Sequence, residues 1–126
     1  MVVSPDPALF HATDTGLLLF KNRLVPATET LIMWAMSKWP DPSSNLRLHE
    51  TLEHTISDLS LRTLINRSID RGLVVKSKAS AYVGGVTVNR VLWYPIPIVC
   101  ELLTRPVVQP FFEAEVARRK KEKAGA

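Results

Sequence analysis

Ile56-Ser57-Asp58-Leu59-Ser60-Leu61-Arg62-Thr63-Leu64-Ile65-Asn66-Arg67-Ser68-Ile69-Asp70-Arg71-Gly72-Leu73-Val74-Val75 is the stretch whose reading decides the fold. Leu61, Leu64, Ile65 and Ile69 recur at helical spacing and predict one buried stripe. Ser57, Asp58 or Ser60 can cap the first turn, because a short side-chain oxygen there accepts from a free backbone N–H. Gly72 stands where a left-handed residue ends a helix, and the β-branched run after it predicts a strand. The face away from the stripe carries Ser60, Arg62, Thr63, Asn66 and Arg67, with no acid among them until Asp70. Such side chains hydrogen-bond phosphates and base edges, though an ordinary solvated helix face also carries them.

Immediately upstream, Leu46–Glu53 predicts a short helix with Leu48 and Leu52 on one face, and residues 54–57 a tight turn. A short helix, a turn and a second helix with a polar outer face is the helix-turn-helix arrangement. Downstream, residues 73–83 and Val86–Tyr94 predict two strands, and Gly84-Gly85 supplies positive φ for a two-residue hairpin turn. That turn sets Val83 opposite Val86 and Tyr82 opposite Thr87, a wing that also carries Lys76, Lys78 and Arg90. Farther out, residues 8–23 and 27–38 read as helices, Trp39–Asn45 as a loop, and residues 96–104 and 111–123 as closing helices. Residues 1–7, with two prolines, read as irregular.

The chain has 126 residues, 46% apolar and 22% charged, which suits one globular domain over 1–126. Its net charge of +4 is unevenly spread. No acid occurs between Asp70 and Glu101, while Arg71, Lys76, Lys78 and Arg90 do, so this region favours a polyanionic partner. The tail from Glu113 holds five basic residues against three acidic ones. Cys100 is the only cysteine, which excludes an intrachain disulfide and predicts a buried structural thiol. No signal-peptide pattern opens the chain and no apolar run is long enough to span a bilayer. The expectation is a cytoplasmic protein with no membrane partner.

The run Leu64-Ile65-Asn66-Arg67-Ser68-Ile69-Asp70-Arg71-Gly72-Leu73-Val74 resembles the recognition-helix end and first wing strand of MarR-type winged-helix transcriptional regulators. Leu24-Val25-Pro26-Ala27-Thr28-Glu29 is similar to their entry into the second helix, and the resemblance extends over residues 17–94. The wing lacks that family's Asp-x-Arg pattern, both ends are short, and Ser68 stands where leucine is usual. The resemblance implies a mainly α (α+β) fold. It comprises a helix-turn-helix plus two-stranded wing over 46–94, flanked by dimerisation helices at 8–24 and 96–123. It also implies a homodimeric regulator binding double-stranded DNA at a pseudo-palindromic site. Recognition helix 58–71 would place Ser60, Arg62, Thr63, Asn66 and Arg67 in the major groove, with Arg62 or Arg67 suited to guanine and Asn66 to adenine. Lys76, Lys78 and Arg90 of wing 73–94 would meet phosphate or the minor groove. Leu9–Leu24 and Phe111–Val116 would supply the dimer interface.

Other chemistry is less well served. His49 and His54 are five apart, about 140° around a helix, so they diverge where a zinc pair needs i and i+4. With one cysteine and only His11 besides, no metal site is expected. No glycine-rich phosphate loop, paired carboxylates or nucleophile–base pair is visible, so neither a cofactor nor an enzyme is expected. Trp34, Trp39, Trp93 and Tyr94 either line a small-molecule effector pocket or sit in the core. Two further readings stay open: a winged-helix module of plasmid or phage replication or partition, and a winged-helix protein–protein adaptor.

Overall fold

In the computed structural model, which describes residues 10–12, 18–20 and 23–125, the decisive stretch forms helix α3, Asp58–Asp70. Both of its ends lie where side-chain chemistry puts them. The Ser57 hydroxyl accepts from the Ser60 backbone N–H at 3.2 Å, leaving Ser57 in extended conformation ahead of the first turn. At the far end Gly72 has φ +78°; its N–H donates to Ile69 and that of Leu73 to Ser68, the paired bonds of a Schellman stop. Leu61 and Ile65 are fully buried and Leu64 and Ile69 half-buried, which is the predicted stripe. Ser68 is buried as well, with its hydroxyl donating to the Leu64 carbonyl at 3.0 Å. Replacing Ser57 by alanine leaves that N–H unpaired and is expected to cost about 1 kcal/mol. Urea unfolding with an unchanged m-value checks it; an unshifted midpoint counts against the cap.

Helix α1, Ala27–Ser37, lies at the centre of the core, with Leu31 through Met36 all buried. Helix α2, Asn45–Thr51, is capped by Ser44, which accepts from the Arg47 N–H. The wing is strands β4, Val74–Val83, and β5, Val86–Pro95, antiparallel, with Val83 opposite Val86 and Tyr82 opposite Thr87 as the glycine pair predicts. Gly84 and Gly85 have φ +58° and +83°, and a Cβ added to either would meet nothing within 4 Å. The glycines therefore serve backbone conformation rather than space. The root of the wing is fixed twice. Ser43 and Trp93 exchange backbone bonds of 2.8 and 2.9 Å in a single bridge, and the Ile96 N–H donates to Leu73 at 3.0 Å. Helix α4, Pro97–Leu103, and helix α5, Gln109–Gly125, close the fold, joined by a 3-10 turn at Pro106–Val108.

Several expectations need correction. The helix expected over 8–24 is not formed where the chain is described. Phe10–Ala12, Leu18–Phe20 and Arg23–Leu24 are strands β1, β2 and β3 of an antiparallel sheet, with Phe10 opposite Phe20 and Leu19 opposite Leu24. An unbroken Leu17–Phe20 run has no 3.6-residue period, and partner strands on both sides of β2 satisfy its backbone instead. The expected irregular segment 1–7 lies outside the described residues. Helix α5 starts at Gln109 rather than 111, because Pro110 falls in the first turn, where its missing N–H costs little.

In the segment Phe111–Val116, expected to contribute to a dimer interface, Phe112 and Val116 are buried within their own chain. Phe112 stacks on Trp34 with ring centroids 5.3 Å apart. Gln109 closes this corner: its Oε1 accepts from Trp34 Nε1 at 2.8 Å and its Nε2 donates to the Leu103 carbonyl at 2.8 Å. Cys100 is half-buried, and desolvation pushes its thiol above the ordinary range.

Candidate nucleic-acid interface

The angle between α2 and α3 decides what α3 presents, and one carboxylate ties the two helices together. Asp58, in the first turn of α3, accepts through Oδ1 from Asn45 Nδ2 at 2.8 Å and lies 3.1 Å from His49 Nε2. Its Oδ2 is 3.1 Å from Nε of Arg62, one turn farther along. The Asn45 amide and the His49 ring, helped by Arg62, hold the Asp58 carboxyl below the usual carboxylate range. Asp58, exposed and ionised at neutral pH like an ordinary aspartate, keeps its charge to lower pH through these contacts.

All five residues predicted for the recognition face are exposed: Ser60, Arg62, Thr63, Asn66 and Arg67. They are not equivalent. The Ser60 hydroxyl is engaged by Ser57 at 2.9 Å, in the capping turn. Arg62 and Asn66, one turn apart, border a cleft of about 570 Å³ between α3 and the root of the wing. Its other walls are Ser44-Asn45-Leu46 at the start of α2, and Lys76, Arg90, Val91 and Trp93 of the wing. Among the described residues, three cations line this cleft and no carboxylate does, Asp58 pairing with Arg62 from outside the lining. Thr63 and Arg67 lie outside its lining, and Lys78 sits one register step farther out on the wing, opposite Val91.

The sequence reading passed over two residues of this surface. Leu59 is 78% exposed, the most exposed large apolar side chain among the described residues. At 100° per residue it falls opposite the Leu61–Ile65–Ser68 stripe, a signal available from the sequence. An apolar group there suits a thymine methyl or a deoxyribose. Asp58 was read only as a candidate cap.

His49 and His54 do not diverge, contrary to the helical-wheel expectation. Their rings stack at 6.0 Å and 7°, because α2 ends at Thr51 and Glu53 and His54 both take left-handed φ. No cluster of three potential metal ligands occurs among the described residues. The basic tail packs behind this turn. Lys120 pairs with Glu53 at 3.1 Å, Lys123 donates to the His54 carbonyl, and Arg119 donates to Thr28 at 2.9 Å. The aromatic set divides: Trp34 belongs to the core, while Trp93 lines the cleft and Trp39 a separate cavity of about 470 Å³. No helix among the described residues is long and apolar enough to cross a membrane.

No family model and no curated protein matches the sequence. Among solved structures the chain is similar to the crystal structure of ZitR from Lactococcus lactis, a zinc-responsive MarR family member. The TM-score is 0.52 at 17% identity, over 80% of this chain and 62% of that one. The chain thus spans less than two thirds of the length of the protein it matches. At that identity the likeness is one of fold, and the fold is a MarR-like winged helix.

Proposed function

We propose that the protein is a transcription regulator that binds double-stranded DNA in a sequence-specific manner as a homodimer. In this reading α3 lies in the major groove and the wing lies along the backbone or in the minor groove. The observation that carries it is the cleft between α3 and the wing, lined among the described residues by Arg62, Lys76, Arg90 and Trp93 and by no carboxylate. A helix displaying Arg62, Thr63, Asn66 and Arg67 beside such a cleft combines base-reading groups with phosphate-binding ones. The MarR-like fold is consistent with this use. Phe111, exposed on α5, is the large apolar side chain of the Phe111–Val116 segment left to meet a second copy.

The test is an anisotropy titration against random duplex at several salt concentrations. Phosphate neutralisation releases counterions, so log affinity is expected to fall linearly with log salt. Replacing Lys76, Lys78 or Arg90 by alanine is expected to reduce that slope by about one each, with little change in sequence preference. Affinity that does not respond to salt would remove DNA from the reading.

One observation favours a second reading, a protein–protein adaptor. Residues 79–89, the outer half of the wing, carry no charge, and Tyr82, Val83 and Val86 are exposed there. An adaptor predicts no salt-dependent DNA affinity and a partner lost on wing-tip substitution.

A further inference from the structure

We infer that Asp58 is a positioning residue that holds Arg62 as a guanine-reading fork, making Arg62 rather than Arg67 the residue that selects guanine. The inference rests on the DNA-binding reading and adds to it which base is read, by which side chain, and what aims that side chain.

The geometry is specific. Asp58 Oδ2 lies 3.1 Å from Nε of Arg62, an ion pair at the inner nitrogen of the guanidinium. Among the described residues, neither terminal nitrogen of Arg62 has a hydrogen-bond partner. The ion pair at Nε leaves both terminal NH2 groups available, the donor pair that matches O6 and N7 of guanine in the major groove. Asp58 is itself fixed, because Asn45 and His49 of α2 both reach its other oxygen. The fork is thus set by both helices of the helix-turn-helix. Arg67, on the opposite flank of the exposed face, has no corresponding anchor among the described residues, so holding it in one rotamer costs more side-chain entropy.

An exposed i,i+4 ion pair of this kind adds little to stability. An acid at the protein–DNA boundary also repels phosphate. Asp58 should therefore lower affinity for any duplex while raising discrimination between duplexes. A merely structural residue would not show that opposite pair of effects.

The experiment enriches duplexes from a random pool with the full chain and with Asp58→Ala, Arg62→Ala, Arg67→Ala and the Asp58→Ala/Arg62→Ala double variant. The wild type is expected to enrich a sequence with a guanine that both Arg62→Ala and Asp58→Ala lose and Arg67→Ala keeps. Asp58→Ala should bind random duplex at least as tightly as the wild type, while its preference for the enriched duplex falls about tenfold. In the Arg62→Ala background the Asp58 substitution should change preference no further. Arg62→Lys keeps the charge without the fork, so it should keep random-duplex affinity and lose the guanine. Melting temperatures near the wild-type value show that each variant is folded. A guanine that survives Asp58→Ala, or that depends on Arg67, overturns the inference and leaves the DNA-binding reading standing. A pool from which the wild type enriches nothing overturns both.

Discussion

Replacing Arg62, Asn66 and Arg67 together by alanine is expected to reduce binding to a target duplex by at least two orders of magnitude, towards the affinity for random sequence. The three side chains are the long polar groups on the exposed face of α3, and all are exposed. Each well-formed pair with a base edge contributes roughly 1–3 kcal/mol of discrimination, and specific binding typically exceeds random binding by about 10³-fold or more. The fold should tolerate the change. None of the three belongs to the core, alanine favours a helix interior over asparagine, and the lost Asp58–Arg62 pair is a surface pair. Residual binding should keep a salt slope from Lys76, Lys78 and Arg90, so the triple variant separates reading from adhesion. Measured against the selected duplex and a scrambled one, unchanged affinity for both would place the DNA contact elsewhere on the molecule.

Much of this surface was legible in the sequence because its signals are local. The capping serine, the stripe of α3, Gly72 at its stop and Gly84-Gly85 in the hairpin act over a few residues, and all lie where the sequence puts them. The acid-free run after Asp70 likewise becomes a cleft wall without further assumptions. What stayed hidden depends on pairing across distance or on backbone conformations that side chains do not advertise. Leu18–Phe20 looks helical or extended until strands on either side claim its backbone. His49 and His54 meet only because two non-glycine residues in succession take left-handed φ. Asp58 binds Arg62 within its own helix, which the i,i+4 spacing allows, but Asn45 and His49 reach it only through the α2–α3 angle. The proposed recognition helix was thus readable from its own residues, whereas the group proposed to position its arginine required the packed pair of helices.

The second large effect concerns how α3 is held to the core. Glu29, in the first turn of α1, is fully buried, and its Oε2 is 3.1 Å from Nε of Arg71 just beyond the end of α3. Its other oxygen, Oε1, has no hydrogen-bond partner among the described residues. Arg71 is 42% exposed on its side chain, so this pair has one end in the interior and the other at the surface. Truncating Arg71 to alanine would leave the carboxylate buried with neither oxygen paired. Removing one partner of a fully buried pair costs about 3–5 kcal/mol; with Arg71 partly in water, about 2–3 kcal/mol is expected here. Replacing both residues by methionine removes the buried charge together with its partner and should recover most of that loss. Urea unfolding of wild type, Arg71→Ala and Glu29→Met/Arg71→Met at constant m-value makes the comparison. A shift below about 0.5 kcal/mol for Arg71→Ala would mean that Glu29 finds another donor or water once the arginine is gone. Because the pair joins the start of α1 to the end of the proposed recognition helix, the double variant carries a functional expectation too. If the pair fixes the angle of α3 rather than adding stability, the methionine protein should fold as well as the wild type yet discriminate less between target and scrambled duplex.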